Sequence, residues 1–216
     1  MTDLVTFAIV SFSAVFFVVD PFALIPIYLS MTQADSPAKR RATALRASIV
    51  ATTTLLVFAA AGGFIFRIFG ISVGAFKIAG GVLLFLMALD MLRAQTSRVR
   101  TSPEEETEGI ARDDVAVLPL GIPMLAGPGA IATVTVLMGQ AGESTARMAI
   151  VASVVVLTGI LTLVLLRAST LIECTLRRTG LNILNRLMGL ILAAVAVQFI
   201  VDGVADVAPQ IAAALR

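Results

Sequence analysis

One acid and two proline clusters hold most of the chemistry this chain can do. Asp20 stands in Asp20-Pro-Phe-Ala-Leu-Ile-Pro26 and is the only charge in the apolar run from Leu4 to Leu29. A carboxylate buried in so apolar a span is costly and marks a functional site by default. It can hold a substrate ammonium, or take up and release a coupling proton. The plainer role is to cap helix amides freed beside Pro21. The second cluster is Leu118-Pro-Leu-Gly-Ile-Pro-Met-Leu-Ala-Gly-Pro-Gly-Ala-Ile-Ala-Thr133. Pro119, Pro123 and Pro128 each remove an amide donor and crowd the preceding turn, so one regular helix cannot cover it. Gly127, Pro128, Gly129 and Ala130 are expected to start a half-helix whose unpaired amides carry positive partial charge and bind a carboxylate. Their small side chains let a ligand reach the backbone, and Thr133, one turn on, adds a hydroxyl. The competing role of these glycines is close helix packing.

The candidate substrate-binding set is therefore Asp20, Pro21, Ala23 and Pro26 in the first cluster. In the second it is Pro123, Ala126, Gly127, Pro128, Gly129, Ala130 and Thr133. Gln198, deep in the last apolar run, either donates into the cavity or bonds a neighbouring helix. With Asp20 it is the candidate for ion or proton coupling. Arg46, Lys77, Asp90 and Arg186 lie near span ends, where snorkelling to the interface accounts for them.

These residues sit in a chain of which 58% is hydrophobic and only 14% charged, far from the balance of a soluble domain. Several runs reach the roughly 20 residues a helix needs to cross a bilayer. The reading is a polytopic membrane protein. No His is present, which excludes His-based catalysis and His metal ligands, and the lone Cys174 excludes an intrachain disulfide. No cofactor is expected beyond a coupling proton or Na+. The net charge of +2 does not point to nucleic acid, because the basic residues lie in loops. The start, Met1-Thr-Asp3, lacks the basic region of a signal peptide.

In order, the expected spans are Leu4 to Leu29, then a helix capped at Ser36-Pro37 that runs to about Phe66, loosened at Gly62-Gly63, then Val73 to Leu92. A charged connection, 93–114, carries Glu104, Glu105 and Glu106 and reads as a solvated loop. Then come Val115 to Leu137 and Arg147 to Leu166. The latter continues into an amphipathic stretch, Arg167 to Arg186, stopped at Gly180, and Leu187 to about Val204 completes six spans. Twelve of the sixteen basic residues belong to the first, third and fifth connections and the helix ends beside them. Cytoplasmic loops carry that excess, so both termini are expected outside, across the inner membrane in a double-membraned bacterium.

The halves 1–92 and 115–216 overlay. Pro21 and Pro26 share a spacing of five with Pro123 and Pro128, and Phe76-Lys-Ile-Ala-Gly80 matches Asn185-Arg-Leu-Met-Gly189. Three spans per half force the second half to be inverted. The fold expected is all-α: six transmembrane helices in a 3+3 inverted repeat, the first and fourth broken at Pro and Gly. Broken spans at matching places point to a transporter's central site.

Asp20–Pro26, Ala75–Phe85, Pro119–Gly129 and Asn185–Phe199 together resemble the MarC family of six-span membrane proteins. The run Ile122-Pro-Met-Leu-Ala-Gly-Pro-Gly-Ala130 carries the likeness most specifically. The resemblance implies transport of small neutral amino acids such as glycine and alanine, and kinship with amino-acid exporters of the lysine-exporter type. The family usually has Asn before the first proline, where this chain has Asp20. The expected function is a secondary transporter, ion- or proton-coupled, with the bilayer and a small amino acid as partners and homo-oligomerisation left open. The alternatives are an exporter or channel for another small solute and a non-transporting assembly partner. An intramembrane enzyme is disfavoured, with no His and one deep acid.

Overall fold

The computed structural model describes residues 2–93 and 116–214, so all but Arg93 of the charged connection lies outside the described residues. Among those described, every regular element is a helix. The first half holds α1 (Thr2–Val19), α2 (Pro21–Met31), α3 (Pro37–Phe69) and α4 (Val73–Leu92). An irregular segment, Ala116–Leu125, leads into α5 (Pro128–Ala141), followed by α6 (Thr145–Arg167) and α7 (Ser169–Ala214). Five helical stretches are long and apolar enough to cross a membrane, and the bent pair Ala116–Leu125 with Pro128–Ala141 brings the number to six.

Serine side chains cap the starts of three of these helices. Ser36 Oγ accepts the Lys39 amide at 3.3 Å, Ser72 Oγ that of Ala75 at 3.1 Å and Ser144 Oγ that of Arg147 at 3.4 Å. The stop expected at Gly180 does not occur: α7 passes through it as one helix of 46 residues. A glycine inside a helix costs only about 1 kcal/mol relative to alanine, which the surrounding apolar turns outweigh. Likewise α3 runs past Gly62 and Gly63 to Phe69.

The pair α4–α7 is antiparallel and built on small residues at every seventh position. A Cβ on Gly74 would lie 3.1 Å from the Gly203 carbonyl, one on Gly81 2.7 Å from that of Ala196, and one on Gly189 3.1 Å from that of Ala88. Backbones approach this closely only where side chains are missing, which is how helices associate without a hydrophobic drive. The next face of α4 meets α5, where Gly80 lies against Ala132. At one end of the α4–α7 pair the Lys77 ammonium reaches Asp206 at 2.6 Å. The Lys77 side chain is 8% exposed and its charge is matched across the helix pair.

Arg147, at the start of α6, pairs with Asp3 and lies over the Phe7 ring, so α1 and α6 begin on the same side. Tyr28 Oη donates to the Arg40 carbonyl and Arg40 Nη2 to the Thr32 carbonyl, closing the turn between α2 and α3. The core runs through Val15, Tyr28, Ala51, Leu84, Leu120, Val134 and Leu192. Val5, Ile9, Val57, Ile160, Val164 and Leu190 are exposed, an apolar surface suited to lipid.

Candidate functional site

The first interruption is one residue long. Asp20 joins α1 to α2 in the left-handed region, φ 47° and ψ 68°, where Asp is among the few residues tolerated. It is fully buried, and its Oδ1 accepts the Ala23 amide at 3.3 Å. Pro21 is the first residue of α2, where its missing N–H leaves nothing unsatisfied. Pro26 lies within α2 and does not break it. Its side is exposed, on the wall of a vestibule of about 450 Å³ that also meets Ser30, Gln33, Arg40 and Glu173. The break expected across Pro21–Pro26 thus contracts to Asp20.

The second interruption spans a dozen residues. Leu118 (φ −128°, ψ 123°) and Ile122 (φ −135°, ψ 127°) are extended, the conformation a following proline imposes, and both lead into cis prolines, Pro119 and Pro123. The Ala126 amide closes the segment on the Gly121 carbonyl at 3.0 Å. Gly127 then caps α5 with extended backbone and no side-chain hydrogen bond, and Pro128 is its first residue. Helical bonding begins with Ile131 N–H to the Gly127 carbonyl at 3.0 Å. The amides of Gly129 and Ala130 come before it, in the turn that has no intrahelical acceptor. The two arms meet at 57°.

Space around this turn is tight. A Cβ on Gly127 would stand 2.6 Å from the Pro123 carbonyl oxygen, and one on Gly129 2.8 Å from Met87 Sδ. Met87 and Leu84 of α4 therefore lie over the α5 N-terminus. Ala126, Gly127, Gly129, Ala130 and Thr133 are buried, Pro123 is half-buried and Pro128 is exposed. Thr133 Oγ1 donates to the Gly129 carbonyl at 2.9 Å, tying the hydroxyl to the turn it follows.

The interruptions converge. Val19, the last residue of α1, and Leu125, the last of the irregular segment, line one cavity of about 10 Å³ with Ser48 and Thr52 of α3 and Thr158 and Thr162 of α6. Asp20 and Ala126 are the next residues on each side. The four hydroxyls were not among the expected site residues. Their signal was Ser48/Thr52 and Thr158/Thr162, two pairs four apart that place hydroxyls on one face of an apolar helix. Gln198 does not join this group: its side chain is exposed on α7 and donates to Asp202 Oδ1 at 2.7 Å, one turn along the same helix.

Comparison with known proteins places this architecture. The family model described as MarC family integral membrane protein matches residues 5–208. The chain belongs to the MarC family. A UPF0056 membrane protein of Methanocaldococcus jannaschii, MJ1677, is 38% identical over 91% of this chain and 95% of its own length. YvbG of Bacillus subtilis is 36% identical over 94% of this chain and 97% of itself. YhcE of Escherichia coli is 32% identical over 92% of each. No solved structure matches the chain.

Proposed function

We propose that this MarC protein is a secondary transporter of small neutral amino acids of the glycine and alanine kind, with the substrate held between the two interrupted helices. One observation carries the reading. Two half-helices start at Pro21 and Pro128, one capped by its own buried carboxylate and the other by a glycine with no side-chain cap. An uncapped N-terminus attracts a carboxylate, and Asp20 attracts an ammonium or a coupling proton. A short zwitterion supplies both charges, and the crowding at Gly127 and Gly129 suits no large side chain.

The inverted repeat belongs to the same proposal. Asp20-Pro21 and Gly127-Pro128 hold the same capping and first-turn positions. The small cavity draws on both halves, on Val19, Ser48 and Thr52 from the first and Leu125, Thr158 and Thr162 from the second. Such repeats move by rocking one set of helices about a fixed central site. Met87, a flexible side chain lying over Gly129, is the contact that has to yield for the site to open. The basic bias of the first, third and fifth connections sets both termini outside a plasma membrane, the inner one in a double-membraned bacterium.

The test is counterflow: purified protein in liposomes loaded with unlabelled alanine, presented with labelled glycine outside. Exchange above that of empty liposomes supports the transporter. No exchange for any small amino acid, from protein shown to be folded, sinks it.

A further inference from the structure

The small cavity between α3 and α6 has a chemistry of its own. Its polar lining consists of Ser48, Thr52, Thr158 and Thr162, and no carboxylate lines it. Ser48 is 4% exposed and Thr158 1%, and neither hydroxyl oxygen has a hydrogen-bond partner among the described residues. Buried hydroxyls left unpaired inside an apolar bundle are expensive and call for a bound partner. The Thr162 hydroxyl donates to the Thr158 carbonyl at 2.8 Å, which leaves its lone pairs turned outward as acceptors. Thr52 stands where α6 can approach only because residue 159 is glycine: a Cβ there would lie 2.0 Å from Thr52 Oγ1. At about 10 Å³ the cavity admits one body the size of a water and no more.

We infer that this cavity binds a single monovalent cation, Na+, through the Ser48, Thr52, Thr158 and Thr162 oxygens. Two features favour a cation over a neutral water. The cavity takes in Val19, the C-terminal residue of α1, where the helix dipole is negative. The next residue is Asp20, a fully buried acid. The absence of a lining carboxylate argues against a divalent ion, which draws on several charged oxygens. Hydroxyls from both halves ligate the ion, so its binding stiffens α3 against α6 beside both interruptions. As a coupling site this rests on the transporter reading; as a binding site it stands by itself.

The experiment measures binding of radioactive Na+ to the purified full chain in detergent, with choline as the competing salt at constant ionic strength. Saturable Na+ binding is expected in the wild type. Ser48→Ala and Thr158→Val, which remove oxygens that no other side chain uses, weaken it roughly ten- to a hundredfold. Thr53→Val, on the same helix but exposed to the neighbouring groove, leaves it unchanged. Thermal melts of each variant in choline establish that it is folded. Wild-type protein that takes up no Na+ holds a water only, and overturns the inference. So does a folded Ser48→Ala/Thr158→Val double variant that binds Na+ like the wild type. Glycine counterflow on the same preparations separates the two ideas. Exchange without Na+ binding removes the cation site and keeps the transporter, and Na+ binding without exchange does the reverse.

Discussion

Asp20 and Gly127 hold the same station, one residue ahead of a proline that starts a helix, and differ in what they offer that helix. Asp20 takes the left-handed conformation and turns its own carboxylate back onto the Ala23 amide. Gly127 keeps an extended backbone and offers no side chain, so the first turn of α5 presents its amides bare. A helix N-terminus that already carries an anion is satisfied from within, while one without looks outward for a negative charge. The two ends are thus complementary rather than duplicated. Two helix starts that differ in charge suit a ligand with two unlike ends.

The largest disruption of this contrast is expected from Gly127→Ala. Its Cβ would meet the Pro123 carbonyl, which is backbone and cannot swing aside. Overpacking of this kind costs about 1–3 kcal/mol, read as a lower melting temperature in detergent, with glycine exchange weakened but measurable. Next is Asp20→Ala, which removes cap and charge together. The cap alone is worth about 1 kcal/mol, while exchange falls much further than that loss explains. Asp20→Asn sharpens the comparison, because Asn caps as well as Asp. Stability stays near wild type while glycine affinity or gradient-driven accumulation drops about tenfold or more. Affinity lost points to the ammonium; accumulation lost with exchange retained points to the proton. Away from both interruptions the effects shrink. Lys77→Met removes a bridge whose Asp206 side is 46% exposed, and is expected to cost about 1 kcal/mol or less in a denaturant titration, with exchange unchanged. Gln198→Ala, on the exposed face of α7, is expected to stay within about 0.5 kcal/mol and to leave exchange intact.

The spans and both proline clusters were legible in the sequence because length, hydropathy and missing amide donors act locally. What a given proline does is not local in that sense. Equal spacing matched Pro21 with Pro123 and Pro26 with Pro128, whereas capping roles match Pro21 with Pro128. A proline at a first helical position and one inside a helix look alike until the cap before each is known. Gly180 misled for a related reason, since glycine favours a helix end where the backbone takes a positive φ, as at Gly142 after α5. The Lys77–Asp206 bridge needed the antiparallel register of α4 and α7, which no single helix encodes. The hydroxyl quartet escaped notice because Ser and Thr in apolar helices usually bond their own preceding turn, as Thr162 does, and residue type does not separate those from Ser48 and Thr158.

The central claim is that the two interruptions divide one substrate's charges between them. Gly127→Asp tests it most directly, because it gives the second interruption the carboxylate that the first already has. Labelled-glycine binding to the wild type, Gly127→Asp and Gly127→Ser is measured on purified protein, with melting curves for each. Both variants carry the same added Cβ and both can cap the helix, so only the negative charge distinguishes them. A folded Gly127→Asp protein that binds glycine far more weakly than Gly127→Ser is the expected result. Equal binding by the two would place the carboxylate of the substrate elsewhere and contradict the claim.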